Sequence, residues 1–170
     1  MAIAMIAATA LQGATPAYLP PSVFELLAGE WVCADEWLAN GPTLRSETWQ
    51  RDSEGRLTGV VTLDRRRAFN GESRQVAELV ISGSGAARTL VYRPAGGAAI
   101  RYRLAREDRR QQEAVFESRR GGSPRTIGFR HDSFRRLTVT FGRADGSSER
   151  WSYQPPGMHT GIISCSGRRR

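Results

Sequence analysis

Glu47 and Trp49 stand two residues apart in a stretch, Leu44 to Arg51, where residue character alternates. In an extended strand that spacing puts the carboxylate and the indole on one face. Turned inward, the pair sets a charge against an apolar wall, which is costly unless the charge finds a partner. Arginine is the natural partner, in two-pronged geometry. Such an arrangement orients a ligand's polar group, or lifts a carboxyl pKa far enough for acid-base work. Turned outward, the same glutamate meets water and a cross-strand arginine. Glu78, flanked by Ala77 and Leu79, shares a face with Val76 and Val80, and Glu117 shares one with Val115. Both pose the same two options. Tyr92, Tyr102 and Phe129 fall on inward-looking alternation and either line a cavity or fill it. With Trp31 added, the candidate binding set is Trp31, Glu47, Trp49, Glu78, Tyr92, Tyr102, Glu117 and Phe129.

Other chemistries find less support. His131 and His159 are the chain's two histidines, and neither has a Cys or His at metal-ligand spacing. No metal site is expected, and His131 reads as a surface residue at a strand end. No Gly-x-Ser-x-Gly elbow occurs, and no histidine has an identifiable carboxylate partner. Lysine is absent, so no glycine-rich loop with lysine cradles a phosphate. No residue is therefore singled out as catalytic.

The elements that must position these residues are short strands. Alternation and turn signals place them at about 29–38, 44–51, 56–63, 74–82, 87–93, 99–106, 111–118, 125–131, 135–142 and 148–154. Asp52 to Gly55, Asn70-Gly71, Gly83 to Gly85, Gly96-Gly97, Gly121-Gly122 and Asp145-Gly146 supply tight reversals. Short connections make neighbouring strands antiparallel. The fold expected is all-β: a single antiparallel up-and-down barrel of eight to ten strands, able to hold one small molecule inside. Trp31 and Trp151, in the first and last strands, are expected to close a barrel end. Ser22, after Pro20-Pro21, caps one helical turn through Leu27 that plugs an end.

All 25 basic residues are arginine, and the formal net charge is +8. That charge fits a nucleic-acid or anionic-membrane surface, or equally a bias toward arginine spread over every outward face. The arginines are dispersed, from Arg65 to Arg67 through Arg101, Arg103, Arg119 and Arg120 to the terminal Arg168 to Arg170. No aromatic-basic stripe is visible, so no specific nucleic-acid partner is expected.

Met1 to Leu11 is almost wholly Ala, Ile, Met and Leu, and Gln12 to Ala17 turns small and polar. Residues 1–17 read as a secretion signal that lacks a positive start. The apolar run is too short to span a bilayer, which needs about 20 residues. A lead-in follows at 18–28, the barrel at 29–156, and a flexible arginine-ended tail at 157–170. Export points to the periplasm or beyond; without a signal the chain stays cytoplasmic. Cys33 in the first strand and Cys165 in the tail would tie the barrel's seam, a closure worth roughly 4 to 5 kcal/mol if unstrained. The other option is two unpaired thiols.

From Leu27 to Tyr153 the chain resembles a bacterial lipocalin-like family of uncharacterised domains within the calycin group. The matching residues are Leu27-Ala28-Gly29-Glu30-Trp31, Glu47-Thr48-Trp49, Gly59, Glu78, Leu90-Val91-Tyr92-Arg93-Pro94 with Gly96, Val115-Phe116-Glu117, Pro124 with Ile127, and Trp151-Ser152-Tyr153. After Phe-Glu the family usually continues Asn-Pro-x-His-Asp-Phe-Pro. Here the stretch reads Ser118-Arg119-Arg120-Gly121-Gly122-Ser123-Pro124, so any chemistry of that His-Asp pair does not carry over. The resemblance implies the barrel but no known activity. Some small calycin barrels hold haem through a late histidine, a role for which His159 is the candidate; otherwise no cofactor is expected.

Taken together, these readings predict an exported, monomeric barrel that binds a small apolar or amphipathic molecule without chemical change. The alternative is a small barrel enzyme, an isomerase or hydrolase, with Glu47 or Glu117 as its acid-base. A third reading is polyanion or membrane-surface binding through the arginines.

Overall fold

The computed structural model describes residues 19–35, 43–65, 73–119, 121–132, 135–157 and 166–169. Ten antiparallel strands follow one another in chain order: β1 (Gly29–Asp35), β2 (Thr43–Arg51), β3 (Leu57–Arg65), β4 (Ser73–Ser82) and β5 (Thr89–Pro94). Then come β6 (Ile100–Asp108), β7 (Glu113–Glu117), β8 (Thr126–His131), β9 (Leu137–Gly142) and β10 (Ser148–Tyr153). Each pairs with its neighbours in sequence. The sheet curls until its first and last strands meet at Val32 and Gln154, whose backbones exchange hydrogen bonds of 2.8 and 3.0 Å. The result is the expected up-and-down barrel, nearly closed.

A short eleventh strand, β11 (Ser166–Arg169), pairs with Ser148–Trp151 of β10. Part of the stretch read as a flexible tail is therefore an ordered strand on the barrel. The segment read as a signal, together with Cys165 and His159, lies outside the described residues.

Local chemistry explains the breaks. Between β2 and β3, Asp52 Oδ1 accepts the amides of Glu54 and Arg56 at 3.0 and 2.9 Å. Gly55 takes φ +78°, a left-handed conformation that glycine adopts without strain. Period-two alternation then sends every second side chain inward. Trp49, Val61, Leu79, Leu90, Tyr102, Phe116, Ile127, Phe129 and Val139 form one continuous core.

One end of the barrel is closed by a helical turn, α1 (Val23–Leu26). Ser22 caps it, accepting the Phe24 amide at 3.3 Å and donating to Glu107 Oε1 at 2.6 Å. Phe24 enters the barrel and starts an aromatic column. Its ring lies 5.8 Å from Phe116, Phe116 lies 6.2 Å from Phe129, and Phe129 lies 5.6 Å from Trp49. These near-perpendicular contacts are the favoured edge-to-face arrangement.

Trp31 belongs to this closed end, its Nε1 donating to the Leu27 carbonyl at 2.9 Å. Trp151 lies on β10 toward the other end, beside Arg45. The two tryptophans thus serve opposite ends, because β1 enters the barrel where β10 leaves it. His131, expected at the surface, is half-buried with its ring 5.7 Å from Trp31. Burial pulls its pKa down, with Asp132 acting the other way. Among the described residues, no helix is long and apolar enough to cross a membrane.

Candidate functional site

The inward face of β2 reads Arg45, Glu47, Trp49 and Arg51 from the open mouth to the closed end. Arg51 reaches α1, where its Nη2 donates to the Phe24 carbonyl at 2.6 Å. Trp49 tops the aromatic column. Gly59, opposite it on β3, makes room for the indole: a Cβ there would lie 2.6 Å from the ring.

Glu47 sits one layer above Trp49, between Trp31 on β1 and Val61 on β3. Its side chain is 0% exposed. Trp49 Nε1 donates to Glu47 Oε2 at 3.2 Å. The Tyr153 hydroxyl donates to the same carboxyl and accepts Arg45 Nε at 2.7 Å. Arg45 in turn stacks its guanidinium 4.2 Å from the Trp151 ring. Glu47 Oε1 has no hydrogen-bond partner among the described residues.

The electrostatics follow from that burial. Loss of solvent pushes the Glu47 carboxyl above its ordinary value of 4.5, against the opposing pull of Tyr153, Arg45 and Trp49. Tyr153, itself buried, is held far above its usual range by desolvation and by the carboxyl beside it. Burial thus shifts the Glu47 carboxyl toward its protonated form, while its polar neighbours oppose the shift.

Above this floor the barrel opens into a cavity of about 170 Å³. Arg45, Tyr92, Phe141 and Trp151 line it, with Ser123 and Pro124 at its edge. Tyr92 and Phe141 rings lie 5.9 Å apart. Trp151 Nε1 donates to Glu149 Oε1 at 2.8 Å, and the Tyr102 hydroxyl donates to the Pro124 carbonyl at 2.7 Å. The latter bond ties the 118–125 segment to the rim.

Of the residues singled out in the sequence, Glu47, Trp49 and Tyr92 stand in or just below this mouth. Trp31 touches the site through its place opposite Glu47, while Tyr102 and Phe129 are buried packing. Glu78 and Glu117 lie on the outer wall, paired with Arg93 and Arg125. Arg45 and Tyr153 were not singled out for the site. Arg45 was within reach, being two residues before Glu47 on the same face. Tyr153 carries no local signal, because it reaches Glu47 through barrel closure.

Cys33 is buried and disulfide-bonded. Among the described residues, no three His, Cys, Asp or Glu side chains are grouped to hold a metal ion. Compared with protein-family models, curated proteins and solved structures, the chain matches none.

Proposed function

We propose that the barrel binds a small amphipathic molecule at its open mouth without changing it chemically. The observation that carries this reading is Glu47: a buried carboxyl with one oxygen unpartnered, directly beneath an aromatic-walled opening. An unmet buried polar group costs about 1–3 kcal/mol, and a ligand polar group that displaces Arg45 or Tyr153 to reach it would relieve that cost. Tyr92, Phe141 and Trp151 supply apolar contact, and Arg45 with Glu47 fixes orientation. The cavity is below the roughly 300–1,000 Å³ of most ligand sites, so it suits a very small molecule or the end group of a larger one.

The nearly closed antiparallel barrel is consistent with a calycin-like fold, and we propose on that ground that the chain is related to the lipocalin-like domains it resembles. Export belongs to it as well, since disulfides persist in oxidising compartments. Cys165 is the partner proposed for Cys33.

A second reading has one observation in its favour. The raised carboxyl of Glu47, hydrogen-bonded to Tyr153, is a plausible acid-base for an isomerase or hydrolase. A substrate would first have to displace Tyr153 or Arg45, because Glu47 has no exposed surface.

Native mass spectrometry of protein purified from its own host tests the proposal. The expected result is a retained small molecule that is lost from the Glu47→Leu and Phe141→Ala variants. A retained molecule indifferent to both substitutions, or an empty barrel that gains no thermal stability from amphipathic ligands, would overturn it. Turnover abolished by Glu47→Gln would establish the enzyme instead.

A further inference from the structure

A broad cavity lies outside the barrel. It measures about 670 Å³ and runs over the outer face of β5 and β6 beside residues 117–122. Val91 forms its apolar floor and Ile100, packed against the core, borders it at the start of β6, while Arg101, Arg103, Arg119 and Glu117 stand around it. Gly122 brings the 117–122 segment close, since a Cβ there would meet Ile100 Cγ2 at 2.6 Å.

Some outward arginines of the wall are matched, Arg93 by Glu78, Arg106 by Glu113 and Arg125 by Glu117, while others such as Arg130 and Arg150 are not. The side chains of Arg101, Arg103 and Arg119 have no ion pair or hydrogen bond with any described residue. Arg103 faces Glu117 across the β6–β7 ladder, but that carboxylate is already held by Arg125 Nε and Nη2 at 3.3 and 3.2 Å. Arg119 lies just beyond the end of β7, in the turn that borders the groove. On one strand face, Arg101 and Arg103 stand roughly 7 Å apart, close enough to share one anion.

We propose that this groove is a second binding site, for a small organic anion: a carboxylate, sulfonate or phosphate head on an apolar body. The head bridges the unpaired guanidiniums, where charge-assisted hydrogen bonds are strongest, and the body lies along Val91 and Ile100. The site is independent of the mouth and shares no lining residue with it.

The probe is anilinonaphthalene sulfonate, an anion with an aromatic body, titrated by fluorescence into the full chain. Saturable binding that weakens with added salt is expected. In the Arg101→Ala/Arg103→Ala variant the dissociation constant should rise about tenfold or more. Arg130→Ala, outward on β8, should leave it unchanged. Both positions are solvent-facing, so circular dichroism and thermal midpoint should match the parent chain. Equal affinity in the double variant would overturn the proposal. So would a single-stranded oligonucleotide that binds tightly and is weakened as much by Arg130→Ala as by the groove variant. That result would make the arginines a diffuse polyanion surface.

Discussion

At the closed end of the barrel, polar groups find partners and apolar groups find each other. Ser22 serves both the Phe24 amide and Glu107, Arg51 takes the Phe24 carbonyl, and Trp31 takes the Leu27 carbonyl. Arg88 pairs with Glu107 and lies 3.9 Å above the Phe24 ring. The mouth is assembled differently. Its aromatic walls face an opening, and its buried acid keeps one oxygen unmatched. Both ends are hung on the same strands, so strand geometry does not cause the difference. Satisfied groups stabilise a fold, whereas unmet buried ones persist where something else, such as a ligand, supplies the match.

The comparison is broken most forcefully in the aromatic column. Phe129→Ala removes the ring between Phe116 and Trp49, and should destabilise the protein by about 3–5 kcal/mol. Denaturant unfolding measures it; a loss below about 1 kcal/mol would show that the column is not close-packed.

A smaller effect separates the two ends by pH. The Glu47 carboxyl is raised in the folded protein, so the fold holds its proton more tightly than the unfolded chain does. Its contribution is complete below 4.5 and declines as pH rises through the raised native value. Glu47→Gln should flatten that decline, so that the variant gains on the parent at the alkaline side. Thermal midpoints measured across pH check it. Parallel curves for both proteins would mean that the carboxyl is not desolvated.

The least change is expected on the outer wall. Glu78→Gln breaks an exposed pair with Arg93 and should cost less than about 1 kcal/mol, an effect erased by salt. A larger loss would remove the distinction drawn between inner and outer glutamates.

That distinction also marks how far the sequence could be read. Strand positions were legible because alternation and turn residues agree at nearly every break. The direction of Glu47 stayed open in the sequence, although Trp49 shares its face and the opposite face carries Ser46, Thr48 and Gln50. Glu78 was ambiguous, since Val76 and Val80 on its own face rival Ala77, Leu79 and Ile81 on the other. The structure resolves it through depth: Leu79 is fully buried while the Glu78 carboxylate reaches Arg93. Period two says which residues share a face, but not which of two apolar faces wins. The link from Arg45 to Tyr153 spans 108 residues and exists only once the barrel has closed. The outer groove was hidden for a related reason. Arg101 and Arg119 are far apart in the chain, and both border one groove only once the residues after β7 lie beside β6.

The small strand β11 has a consequence of its own. β1 meets β10 near Gln154, which leaves the ladder of Ser148–Trp151 available on that side, and Ser166–Arg169 occupies it. Open strand margins invite another molecule to add itself by backbone pairing, the route to fibrils and swapped assemblies. By laying Ser166–Arg169 there, the polypeptide guards its solubility at a border that its curvature leaves unsealed.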